Sequence, residues 1–307
     1  MRIGVFLNYI GLGTNLLHLS YCHEIAKKFG PITIITLCKN LDMALKDDPL
    51  IEKVIFIEKN KRFLDLIKLS ACLKENSFTK IFIFYPSIRT YLAAKFANIK
   101  KIYSYPFFKK KNLHLVKAAK EFTEKSLNII NCPTETNFYV PKNKQNFIKN
   151  DYYNIVIGAG SSGPSTKWGE KNYIDLINKL NLKDNFYFYI LCGKNENDIS
   201  KKIISNIKKK NCLSLSEKNI SELIPIIASC NMYVGNDSFG HHITSQCGIP
   251  SLIIILDTPR AYSDYSKNQY RIIPEGADIN MIEHDSAFNT SSIKVDQVYN
   301  KIIEIKS

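Results

Sequence analysis

Hydrophobic positions along this chain switch period repeatedly, from short aliphatic runs to three-to-four spacing and back. The runs Arg2 to Leu7, Ile32 to Leu37, Lys53 to Ile57, Lys80 to Phe84 and Lys101 to Tyr105 predict strands. Between the first two, Leu16, Leu19, Cys22, Ala26 and Phe29 recur at helical spacing and predict one helix from Thr14 to Phe29. Phe63 to Lys74, Arg89 to Ala97 and Leu113 to Ile129 read as further helices. Pro141 to Asp151 is polar and unpatterned, as a linker is. The alternation then restarts. Strands are expected at Tyr153 to Ile157, Phe186 to Cys192, around Leu213 and Leu215, and at Met232 to Val234 and Ser251 to Leu256. Helices are expected at Glu170 to Leu180, Glu196 to Lys209, Ile220 to Ser229 and, as an amphipathic tail, Val295 to Ile305. Strands alternating with helices mean parallel sheets. The two runs predict an α/β protein of two Rossmann-like domains, residues 1–145 and 151–307, with the tail helix free to pack back on the first.

Residues 231–250 concentrate the chemistry. A short apolar strand breaks at Gly235, and Asn236, Asp237 and Ser238 stand where a helix N-cap belongs. Ile243 and Cys247 share one face of the helix that follows, and Gly248-Ile249-Pro250 ends it. Asp237, Ser238, Gly240, His241 and His242 thus lie at the carboxyl end of a strand, where parallel sheets bind ligands and a helix N-terminus favours an anion. Any one of them alone reads as a cap or a surface residue; the group reads as a ligand site. Metal binding by His241 and His242 is not expected, because adjacent helical positions point apart.

A second loop, Gly158 to Gly163 with Gly160, Ser161 and Ser162, follows another strand and offers backbone amides to a phosphate. It is not a Walker loop. It does not read as the dinucleotide fingerprint either: Gly158, Gly160 and Gly163 match the glycine spacing, but Pro164 would disrupt an immediately following helix. Lys167 is a candidate phosphate partner, and Trp168, the single tryptophan, a packing anchor.

Composition narrows the partners. The net charge of +14 favours an anionic partner: nucleic acid, or an anionic membrane face. No RNA- or DNA-binding signature accompanies it, so nucleic acid is set aside. No apolar run is long enough to span a membrane, and the eight scattered cysteines lack zinc or disulfide spacing, which fits a reducing compartment.

On these residues the chain resembles glycosyltransferase family 9, the bacterial heptosyltransferases of lipopolysaccharide core synthesis. The matching stretches are Gly163 to Trp168 with Lys167, Leu191 to Glu196, and Asp237-Ser238-Phe239-Gly240-His241-His242 leading to Gly248-Ile249-Pro250. Gly11-Leu12-Gly13 before a helix is similar to the family's first loop. The likeness spans most of the chain and is strong from about residue 153 to 260. It implies the GT-B fold, two Rossmann-like domains facing across a cleft. It also implies an inverting, metal-independent transfer of heptose or a related sugar from a nucleotide sugar, an ADP-sugar being favoured, with no cofactor. The donor would bind the C-terminal half through Gly160, Ser161, Ser162, Lys167, Glu196, Asp237, Ser238, Gly240, His241 and His242. A glycolipid or oligosaccharide acceptor would bind the N-terminal half. A cytoplasmic location follows, with peripheral contact at the inner membrane left open.

Two departures stand out. Where the family carries a presumed basic Asp, this chain has Thr14 and then Asn15, and neither takes a proton at neutral pH. Phe239 replaces the motif's glycine, and Gly240 comes one place late. His18, one turn into the first helix, is the alternative base, better placed than His23 or Glu24; a nucleotide-sugar binder without catalysis is the alternative function. Leu256 to Tyr265 is richer in charge than the family's loop, and Arg260 there suits a phosphate or a sugar carboxylate.

Overall fold

The computed structural model describes residues 2–58, 64–106, 114–140, 148–161, 166–183, 185–284 and 286–307. The chain divides into two compact units, Met1–Tyr139 and Val140–Ser307.

The first unit runs β1 (Ile3–Leu7), α1 (Leu12–Leu17), α2 (Leu19–Phe29), β2 (Ile32–Thr36), α3 (Leu41–Leu45), β3 (Ile51–Phe56), α4 (Leu64–Glu75), β4 (Lys80–Ile83), α5 (Ile88–Phe96), β5 (Lys101–Ser104) and α6 (Leu115–Leu127). All strand pairs are parallel, in the order β3-β2-β1-β4-β5. β1 and β2 are buried at every position, as strands with helices on both faces are, and neither carries a charged residue. Strand order reverses between β1 and β4, so the loops after those two strands flank the switch point.

The single helix expected from Thr14 to Phe29 is two. α1 begins at Leu12, and the His18 N–H closes a tighter turn on the Asn15 carbonyl at 3.0 Å before α2 starts. α3 was not expected; at five residues it is too short to show a period.

The second unit runs β6 (Tyr153–Gly158), α7 (Glu170–Leu180), β7 (Phe186–Leu191), α8 (Asn197–Asn206), β8 (Cys212–Ser214), α9 (Ile220–Ile227), β9 (Met232–Asn236), α10 (Phe239–Gln246), β10 (Ser251–Ile254), β11 (Gln269–Ile272) and α11 (Val295–Lys306). Its six parallel strands lie in the order β11-β10-β9-β6-β7-β8, reversing between β6 and β9. One apolar core holds Ile155, Ile157, Trp168, Phe188 and Val234 together with Val298 and Ile302 of α11. α11 packs on α7, and Lys179 pairs with Asp296 at 2.6 Å.

β9 does not break at Gly235. It continues to Asn236, and Gly235 sits opposite Gly158 in the β6 register. A Cβ on Gly235 would lie 2.4 Å from the Gly158 carbonyl oxygen and 2.5 Å from its Cα. The glycine is there for close approach of two strands, not for a turn.

Candidate functional site

The loops after β6 and β9 meet at the second switch point, and Asn236 ties them. Its Nδ2 donates to the Ala159 carbonyl at 2.9 Å, and its Oδ1 accepts from the Trp168 N–H at 3.0 Å and the Tyr173 hydroxyl at 3.1 Å. The Thr166 N–H donates to Asp257 Oδ2 at 2.5 Å. Lys167 is therefore held by an anchored amide on each side. Asp257 itself is buried, and its Oδ1 has no hydrogen-bond partner. Trp168 is fully buried and donates from Nε1 to the Ile293 carbonyl at 2.8 Å, the anchor expected of it.

Lys167 Nζ lies 2.7 Å from Glu196 Oε1. The same carboxylate accepts from the Ser161 N–H at 3.3 Å and the Gly193 N–H at 3.2 Å. Ser161 Oγ donates to the Asp237 carbonyl at 3.3 Å, joining this cluster to β9. A Cβ on Gly160 would lie 2.8 Å from the Cys192 Cα as well as 2.3 Å from Glu196 Oε2, so the glycine lets this loop close on the end of β7 and on Glu196. Ser162 lies outside the described residues, as do Gly163 and Pro164.

Ser238 is the extended N-cap of α10, but its side chain caps nothing; Oγ sits 2.9 Å from the Tyr233 hydroxyl. Gly240 packs closely. A Cβ there would lie 2.7 Å from Leu191 and from the Tyr233 ring, so the glycine lets α10 close on β7 and β9.

Asp237, His241 and His242 converge. The His241 and His242 ring centroids are 3.9 Å apart, against the expectation that adjacent positions diverge. His242 Nδ1 is 2.7 Å from the Tyr265 hydroxyl, and the two rings stack. The tautomer of His241 follows from its neighbours. The backbone N–H groups of Tyr265 and Ser266 both donate to Gln269 Oε1 at 3.2 Å, which fixes the amide orientation. Gln269 Nε2 then donates to His241 Nδ1 at 3.3 Å. Nδ1 is therefore the bare nitrogen, and Nε2 carries the hydrogen it donates to Asp237 Oδ1 at 2.5 Å. The candidate ligand atoms of the three groups lie within 4.8 Å of one another, close enough for a metal ion. The donor set does not fit one, because the His241 nitrogen turned to the cluster is protonated. Gln269, on β11, was not anticipated. Asp257 and Tyr265 belong to the Leu256 to Tyr265 stretch that stood out for its charge, but only Arg260 there was given a role, and no spacing in the sequence ties either of them to residues 237–242.

Arg260 pairs with Asp264 at 2.8 Å and donates to Asn280 Oδ1 at 3.1 Å. Arg271 also pairs with Asp264, at 3.4 Å, so two guanidinium groups share one carboxylate and a positive charge is left over.

In the first unit, two of the residues expected near the reaction have other tasks. Asn15 is buried with its amide fully used: Nδ2 donates to the Tyr9 and Gly11 carbonyls at 3.0 and 2.7 Å, and Oδ1 accepts from Thr36 Oγ1 at 2.7 Å. It holds the first loop to β2. His18 is also fully buried, among Tyr9, Tyr21 and Phe84. Its Nδ1 donates to the Thr14 carbonyl at 2.7 Å, and its Nε2 has no partner. Burial pulls its pKa from 6.5 down to about 4. With no exposed surface it is out of reach of an incoming hydroxyl. Thr14 is half-buried and contributes that carbonyl.

The model of glycosyltransferase family 9 (heptosyltransferase) matches residues 89–274, more than half of the chain. The chain belongs to this family of glycosyltransferases. Its fold is GT-B. The glycosyl transferase family 9 structure from Veillonella parvula superposes with a TM-score of 0.78 at 17% identity, covering 100% of this chain and 97% of that one. The E. coli ADP-heptose lps heptosyltransferase II superposes at 0.75 and 14% identity, and the E. coli heptosyltransferase WaaC with ADP at 0.74 and 14%; both comparisons cover 100% of each chain. No curated protein matches the sequence.

Proposed function

We propose that the chain is an inverting, metal-independent glycosyltransferase that moves heptose or a related sugar from a nucleotide sugar, an ADP-sugar being favoured, to a glycolipid or oligosaccharide of a surface polysaccharide. The donor binds residues 151–307 and the acceptor residues 1–145. One observation carries this reading: Lys167, the amides opening α10 and the Asp237–His241–His242 cluster gather at one sheet switch point, through Asn236 and Ser161. WaaC is similar in fold and holds ADP. In a single displacement the acceptor oxygen bonds to the anomeric carbon as the bond to the diphosphate oxygen breaks. The acceptor's proton leaves to a base, and the diphosphate carries away the negative charge. Lys167 exchanges Glu196 for the diphosphate, and the α10 amides add donors aimed at developing charge. Metal independence fits the protonated His241 Nε2.

The protein works in the cytoplasm, touching the inner membrane from that side. Among the described residues no helix is long and apolar enough to cross a bilayer.

The first loop, Asn8 to Thr14, holds no acid, and this favours a second reading, a nucleotide-sugar binder without turnover. Incubation with ADP-, UDP- and GDP-sugars separates the two. Thermal stabilisation with slow nucleotide release supports the transferase, and stabilisation without release supports the binder. Lys167→Ala raises the donor dissociation constant by roughly tenfold or more, the loss of a charge-assisted phosphate contact; an unchanged constant removes Lys167 from the site.

A further inference from the structure

We propose that α5 is the face by which this chain docks on an anionic lipid bilayer, a proposal that rests on the reading that its acceptor is lipid-borne. Ile88, Leu92 and Phe96 are 54%, 40% and 62% exposed. Their i, i+4, i+8 spacing sets them in one stripe along the helix. Thr90, Ala93 and Ala94 are buried and take the side toward the sheet. At 3.6 residues per turn, Lys95 falls on one flank of the stripe and Arg89 on the other. Ile67 of the neighbouring α4 is 57% exposed. Single exposed apolar side chains need no explanation, but a row of three on a helix facing water does.

The charge around this helix names the occupant. From Asn76 to Lys120 the chain carries ten Lys and Arg and no Asp or Glu, against a net +14 overall. Arg89, Lys95, Lys100 and Lys101 of this stretch are exposed. A second copy would set these cations against their like. A nucleic acid would meet the charge but give Phe96 no apolar phase. A bilayer with anionic headgroups meets both: acyl chains for the stripe, phosphates for its flanks.

The test is sedimentation of the full chain, without any donor, on phosphatidylcholine vesicles with and without phosphatidylglycerol. Binding that requires phosphatidylglycerol is expected. It should fall by roughly tenfold or more in Leu92→Ser/Phe96→Ser, and likewise in Lys95→Ser/Lys100→Ser/Lys101→Ser. Lys208→Ser/Lys209→Ser/Lys210→Ser removes three exposed cations elsewhere and should leave binding within about twofold if α5 is the docking face. Should the double variant melt early, Phe96→Ser alone decides. The proposal is overturned if wild type fails to bind, if it binds neutral vesicles equally, if either α5 variant binds as wild type does, or if the control loses as much. Because no donor is present, loss of transfer activity and loss of docking are read separately.

Discussion

His18 is kept neutral by its surroundings, and that leaves a mark on stability. Its folded pKa, about 4, lies below the ordinary 6.5 because burial disfavours the imidazolium. Between those values the unfolded chain takes up a proton that the folded chain refuses, so the stabilisation present above pH 6.5 is lost as pH falls toward 4. The loss amounts to about 3 kcal/mol for a shift of this size. His18→Gln, which can still donate to the Thr14 carbonyl, should be less acid-sensitive than wild type by about that much in urea unfolding at pH 7 and pH 4; equal acid sensitivity would mean His18 is protonated where it stands. Gln269 acts on the other histidine. Gln269→Glu keeps the acceptor for the Tyr265 and Ser266 N–H groups but sets an oxygen against His241 Nδ1. The hydrogen should then move to Nδ1 and release Asp237. Long-range 15N–1H spectra of the imidazole read this directly, and an unchanged Nε2–H tautomer would refute the lock. At this scale the sequence disclosed the motif residues, Lys167, Asp237 and His242, but not their keepers. Gln269 is 28 residues from His241 and belongs to a strand, Gln-Tyr-Arg-Ile, too polar to stand out as one.

Strand β9 shows what a pattern of hydrophobicity leaves out. Met232 to Val234 is legible because its side chains are apolar, whereas Gly235 and Asn236 look like a turn. They extend the strand because Gly158 lies directly across, and two facing glycines let β6 and β9 approach where any Cβ would collide. That approach brings Asn236 to Ala159 and Trp168, and so places the Lys167 segment. Gly235→Ala should destabilise by about 2 kcal/mol or more, since the intruding methyl meets backbone and cannot be absorbed by a rotamer. The measurement is chemical unfolding, paired with donor affinity, which should fall with it. A variant of wild-type stability would show that the strands part at no cost. The split of α1 from α2 was illegible for a similar reason: the apolar spacing runs unbroken through His18. The break follows from Asn15 spending its side chain on the first loop and His18 its ring on the Thr14 carbonyl.

At the scale of the whole chain, the alternation of strand and helix sufficed to show two parallel sheets, because the central strands β1, β6 and β9 are buried at nearly every position and read as short apolar runs between helical periods. The second unit has what an independent fold needs. Among the described residues its six strands pair with one another, its core closes around Trp168 and Phe188, and α11 supplies Val298 and Ile302. Every described residue proposed for the donor lies in it. A fragment of residues 140–307 should therefore fold cooperatively and bind ADP within about threefold of the affinity of the full chain, a difference of well under 1 kcal/mol. Circular dichroism during urea unfolding tests the first part and calorimetry the second. The tail tests the argument from the other side. Ending the fragment before Val295 strips the buried Val298 and Ile302 and the partly buried Val295, Tyr299, Ile303 and Ile305 from the core, leaves a void beside α7, and breaks the Lys179–Asp296 pair. Loss of two buried aliphatic side chains costs several kcal/mol at about 2–3 each, which is most of what a domain of this size has to spare. The shortened fragment should lose its cooperative transition. If it melts as sharply as the longer one, α11 is not part of this core, and the independence of the unit has to come from elsewhere.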